Sequence, residues 1–116
     1  MFRSAQAEAR RAGDALIDPG SPDRFMYVVR SGTVAIEIGG QTLEEVGPGG
    51  MVGEMSLLDE APRSARVVAL TDCEVIPVDQ KRFLFMLQET PYFALDVMRT
   101  MAGRLRAMNE RAQRSA

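Results

Sequence analysis

Between Gly13 and Val78 the chain changes over repeatedly from short β-type runs to turns bearing glycine or proline, and this close punctuation constrains the fold more than any other feature. Helices of ordinary length do not fit between such turns, whereas a sheet of many short strands does. "RFMYVVR" (24–30) reads as a strand and "SG" turns it. "TVAIEI" (33–38) alternates Val34, Ile36 and Ile38 with Thr33, Ala35 and Glu37 before Gly39 and Gly40 turn the chain again, so one hairpin is expected to follow another. "TLEEV" (42–46) is a short half-buried strand and "GPGG" (47–50) a tight loop. Further on, "ARVVAL" and "CEVIPV" are expected to pair across "TD" (71–72). Seven or eight strands result, as in an all-β roll or barrel.

The flanks have a different grammar. Residues 2–12, "FRSAQAEARRA", are rich in alanine and charge, with a helical propensity that eleven residues can realise only by docking. In "DQKRFLFMLQETP" Asp79 can cap a helix whose Phe83, Leu84 and Leu87 share one side, and Pro91 ends it or opens the next. Beyond it Ala94, Met98, Met101, Leu105, Met108 and Ala112 recur at spacings of four and three, a heptad seam that packs either on the chain's own roll or on a second copy. The expected organisation is a short arm over residues 1–11 and one domain over 12–116, with the roll at about 12–78 and helices at about 79–114.

Composition removes several classes of function. The 116 residues include no histidine, which takes away imidazole acid–base chemistry, the usual triads and most transition-metal sites. Paired carboxylates remain at Glu44–Glu45 and Asp59–Glu60, but sequence neighbours point apart on a strand and rarely address one substrate. No enzyme, metal or cofactor is expected. A net charge of −2 argues against binding nucleic acid as the main task. The single cysteine, Cys73, allows no internal disulfide and suits a reducing cytoplasm. No apolar run is long enough to insert into a membrane.

The chemistry concentrates in "GEMSLLDEAPRSA" (53–65). After Gly53 the run Glu54, Met55, Ser56, Leu57, Leu58 reads as one helical turn whose first amides can receive an anion. Pro62 stiffens the approach to Arg63, whose guanidinium can grip a phosphate with charge-assisted bonds of roughly 1.5–3 kcal/mol each. Ser64 adds a hydroxyl. Glu54 would repel a phosphate at contact distance, so its carboxylate must accept from neutral hydroxyls such as those of a sugar. Phosphate and ribose together mean a compact nucleotide, for the stretch has no lysine of the triphosphate-binding kind and no acidic magnesium pair.

These residues resemble the phosphate-binding cassette of the cyclic nucleotide-binding domain family, shared by catabolite activator proteins, regulatory subunits of cyclic AMP-dependent kinase and nucleotide-gated channels. The likeness runs over about residues 12–110, through "AGDALIDPGSPDRFMYVVRSGTVAIEI" and "GPGGMVGE" into the cassette. It implies a mainly β fold with flanking α: a double-stranded β-helix, or jelly-roll-like β-roll, of eight strands with C-terminal helices, binding a 3′,5′-cyclic nucleotide. It assigns Glu54 to the ribose 2′-hydroxyl, Arg63 and Ser64 to the phosphate, and Gly53 and Ser56 to backbone contacts, with Met55 and Ala65 completing the ligand-binding stretch. The final helix of relatives supplies a base contact, which nominates Arg99, Met101 or Arg104. Serine at position 64 leaves cyclic AMP or cyclic GMP open, with cyclic AMP favoured.

The chain departs from the family in an abbreviated N-terminal segment, in Gly50 where many members carry an acid, and in Met51–Val52 where an aromatic is commoner. It stops where a helix-turn-helix would begin, so DNA recognition is not expected in these residues. The expected partners are the cyclic nucleotide and either a second copy, through the C-terminal helix, or an effector protein. The competing reading is a ligand-free interaction scaffold of the same fold; a metal cupin would need the histidine ligands that are missing.

Overall fold

The computed structural model describes residues 7–22, 25–54, Leu57 and 65–115, the side chains of Arg111, Arg114 and Ser115 apart. Eight strands come first: β1 (Glu8–Arg10), β2 (Ala15–Ile17), β3 (Met26–Ser31), β4 (Val34–Ile38), β5 (Gln41–Val46), β6 (Met51–Val52), β7 (Arg66–Ala69) and β8 (Cys73–Val78). Two helices follow, α1 (Gln80–Glu89) and α2 (Pro91–Ser115). The chain divides into two compact units, Met1–Gln80 and Lys81–Ala116.

The strands form two antiparallel four-stranded sheets, ordered β1-β8-β3-β6 and β2-β7-β4-β5. Only β4 and β5 make the expected hairpin, across Gly39–Gly40. The other two expected hairpins are corrected, because β3 and β4 lie in different sheets, as do β7 and β8. In place of hairpins, ribbons of strands pass together from one sheet to the other. β8 lies between β1 and β3 in the first sheet, and its continuation β7 lies between β2 and β4 in the second. The corners are bonded to one another. Gly13 N–H donates to the Ala69 carbonyl (2.7 Å), Ala69 N–H to that of Asp14 (2.8 Å) and Leu70 N–H to that of Thr33 (2.9 Å). Side chains add to this: the Asp72 Oδ1 accepts from Ala12 N–H (2.9 Å) and the Thr71 Oγ1 from Thr33 N–H (3.0 Å). The crossings thereby satisfy backbone groups that no sheet ladder reaches.

Gly32 shows why two short turn dipeptides became corners. Its φ is 82°, and a Cβ there would strike the Asp72 carbonyl and come within 2.5 Å of the Cys73 Cβ. Neighbouring corners press together so closely that no side chain fits between them.

The core is the space between the sheets. Residues two apart on each strand line it: Tyr27 and Val29, Cys73 and Val75 from the first sheet, Val34 and Ile36, Val67 and Ala69 from the second, joined by Leu16, Ile17, Val46 and Val52. On β4 the expected alternation is incomplete, since Ala35 is also buried. It pairs with Glu45 on one side and Val68 on the other, and a residue this small is readily covered in an inner strand. β3 and β8 are buried on both faces, with Met26, Val28, Ile76 and Val78 on the side away from the core cluster. Pro77 is tolerated in β8 because β1 pairs only with Cys73–Val75, so no ladder donor is needed from residue 77 on that side.

The N-terminal arm is corrected where it is described. Glu8–Arg10 form β1, in register with Cys73–Val75, and are not helical. Three residues of good helix propensity cannot nucleate a helix, and an open edge of β8 offers them backbone partners. In α1 the buried side chains are Phe83 and Met86, while Leu84 is 54% exposed. Of the expected face, Phe83 is buried and Leu87 half-buried, while Leu84 is corrected: Met86, three residues after Phe83, takes the buried position instead. Pro91 opens α2, where its missing N–H costs nothing. Phe83 and Phe93 meet edge to face at 5.7 Å between centroids, joining the two helices of the second unit.

Candidate ligand-binding site

The first sheet delivers the chain to the site. Val29 N–H donates to the Gly50 carbonyl (2.9 Å) and the Val29 carbonyl accepts from Gly49 N–H (2.8 Å), anchoring the 47–50 loop to β3. β6 then pairs Met51 with Val28 and Val52 with Tyr27. At Gly53 the chain turns away with a φ of 81°, a left-handed geometry that glycine adopts at little cost. Glu54 follows immediately.

Glu54 is 2% exposed and is the one buried polar or charged side chain among the described residues. Withdrawing an ionised carboxylate from water costs several kcal/mol before compensation, so a roll lined by valines and isoleucines has no packing reason to place one here. The Glu54 carbonyl accepts from Leu57 N–H at 3.1 Å, closing the turn expected after Gly53, and Leu57 is itself buried. The Leu57 carbonyl in turn accepts from the side-chain Nε2 of Gln80 at 3.4 Å. Gln80 was not singled out in the sequence, where nothing marks a helix-starting glutamine as reaching 23 residues back.

Of the expected ligand-binding residues, the structure places Gly53 and Glu54 together at the end of β6, and Ala65 immediately before β7. Met55, Ser56, Arg63 and Ser64 lie outside the described residues. The nominated base contacts belong to α2, in the second unit: Arg99 is exposed, and Met101 and Arg104 are half-buried. Among the described residues no group of three or more His, Cys, Asp or Glu could hold a metal, and no helix is long and apolar enough to cross a membrane.

Comparison with known proteins gives one answer. Residues 8–90 match the family profile described as "Cyclic nucleotide-binding domain". The chain is 37% identical over 99 residues to the cyclic AMP receptor protein of Thermus thermophilus, covering 81% of this chain and 46% of that protein. It is 32% identical over 83 residues to a cAMP-dependent protein kinase regulatory subunit of Yarrowia lipolytica, covering 72% of this chain and 22% of the relative. The chain thus spans less than half the length of either. Among solved structures, the Thermus thermophilus catabolite activator protein superposes with a TM-score of 0.78 at 33% identity, over 94% of this chain and 54% of that one.

Proposed function

The chain belongs to the cyclic nucleotide-binding domain family, and from that premise we propose that its roll binds a 3′,5′-cyclic nucleotide, cyclic AMP in preference to cyclic GMP, and passes occupancy on through the C-terminal helices. The observation that carries the reading is the burial of Glu54 directly after the left-handed Gly53. A carboxylate is costly to keep in that position, and sugar hydroxyls are neutral donors suited to it. The preference for cyclic AMP is supported by the similar receptor protein and kinase regulatory subunit, both named for that nucleotide.

In this reading Glu54 accepts from the ribose 2′-hydroxyl. Arg63 and Ser64 hold the phosphate, Gly53 and Ser56 contribute backbone groups, and Met55 and Ala65 border them. Arg99, Met101 or Arg104 meets the base. Signalling is a population shift: ligand phosphate orders the cassette, Leu57 and Leu58 repack against the hinge of residues 79–91, and the terminal helix changes its position. A hundredfold preference for one state makes about 2.7 kcal/mol available to bias a partner.

The partner that best fits α2 is a second copy. Met98, Leu105 and Met108 of the heptad seam are 59%, 60% and 45% exposed among the described residues, and pairing would bury them. One further observation favours the alternative of a ligand-free interaction module: seven of the nine exposed large hydrophobics among the described residues are on α1 and α2. Calorimetry of the nucleotide-stripped chain with cyclic AMP and cyclic GMP, alongside Arg63→Ala, separates the two. Nucleotide recognition predicts binding that weakens at least about a hundredfold in the variant, as two charge-assisted bonds are lost. Silence from both chains with both nucleotides favours the scaffold.

A further inference from the structure

The turn that presents Glu54 is bonded on its far side to the first residue of α1. Leu57 is the pivot. Its N–H donates to the Glu54 carbonyl at 3.1 Å, and its own carbonyl accepts from the Gln80 Nε2 at 3.4 Å. Leu57 is 3% exposed and the Gln80 bond is partly buried, while the Gln80 residue as a whole is exposed. Gln80 is also where the roll ends and the helical unit begins.

We propose that Gln80 is a positioning residue for the ligand, its side-chain amide holding the Glu54–Leu57 turn in place from the last residue of the roll unit. This rests on the cyclic-nucleotide reading of the site. The side chain touches no ligand. It acts by fixing a carbonyl one turn beyond the carboxylate. A donor at this position is what matters. A residue of similar length without one leaves the Leu57 carbonyl to find another partner.

The test compares wild type, Gln80→Met, which keeps length and loses the donor, and Gln80→Lys, which keeps a donor. Calorimetry with cyclic AMP should show affinity weakened about fivefold in Gln80→Met, the weight of one net hydrogen bond, and restored to within twofold of wild type in Gln80→Lys. Equal affinity in wild type and Gln80→Met overturns the proposal, as does failure of lysine to rescue. Should no chain bind, wild type included, it is the nucleotide reading that fails. Amide exchange across residues 53–57 then tests the bond by itself: faster exchange in Gln80→Met than in wild type upholds the hold of Gln80 on the turn, and equal rates overturn it.

Discussion

Replacing Gly32 by alanine tests the corner that joins the two sheets, and its cost can be worked from two independent terms. The residue has a φ of 82°, a left-handed conformation that costs a residue with a Cβ about 1–2 kcal/mol. The new Cβ would also strike the Asp72 carbonyl and stand 2.5 Å from the Cys73 Cβ and 2.8 Å from the Cys73 Cα. These are backbone and near-backbone atoms held by hydrogen bonds from the neighbouring corners, so relief requires the corners to part, an overpacking cost of about 1–3 kcal/mol. The sum is about 2–5 kcal/mol, a large share of the roughly 5–15 kcal/mol that stabilises a domain. Gly39→Ala is the control. Its φ is 60° and a Cβ there meets nothing within 4 Å, so only the conformational term of about 1–2 kcal/mol applies. In urea, with a slope of about 1.5 kcal/mol per molar, a loss of about 3 kcal/mol moves the midpoint of Gly32→Ala down by about 2 M. If Gly32→Ala is destabilised no more than Gly39→Ala, the corners are not in the contact described and the argument for Gly32 is wrong.

Two further outcomes follow from the packing. Burial first of all holds the Cys73 thiol above its ordinary value of 9.0, Arg10 pulls the other way, and Asp72 and Asp14 add to the rise; the stability this contributes is fully present below the unfolded value and is lost as pH climbs through the folded one. Urea midpoints should therefore fall above about pH 9 in wild type and fall less in Cys73→Ala, whereas identical slopes would contradict the assignment. Leu105→Glu places a charge in the exposed seam of α2, and if a second copy covers that seam the dissociation constant should rise at least a hundredfold in sedimentation equilibrium; an unchanged constant places the partner elsewhere.

What the sequence made legible was whatever is local. The positions of β3, β4, β5, β7 and β8 followed from alternation and turn residues, and the hinge of α1 into α2 from Pro91. The special standing of Glu54 was visible because a carboxylate beside a phosphate-binding turn would repel the phosphate and must accept from neutral hydroxyls instead. Strand partners were not legible. "SG" at 31–32 and "TD" at 71–72 look like hairpin turns, and whether the chain returns on itself or crosses to a second sheet depends on what lies beside it, here the Thr33, Ala69 and Asp14 corners. The same holds for β1, where the edge of β8 overrides helix propensity. In α1, Phe83, Leu84, Met86 and Leu87 are all apolar, so spacing alone does not say which of them faces inward. Gln80 was missed because its partner is a carbonyl, and every residue has one.

The most direct test of the central claim, that Glu54 reads a ribose while Arg63 holds the phosphate, is a titration of the nucleotide-stripped chain with cyclic AMP and with its 2′-deoxy analogue. A hydroxyl bonded to a buried carboxylate predicts that the deoxy compound binds roughly ten- to a hundredfold more weakly, and that Glu54→Gln narrows the gap. Equal affinity for the two nucleotides would contradict the account.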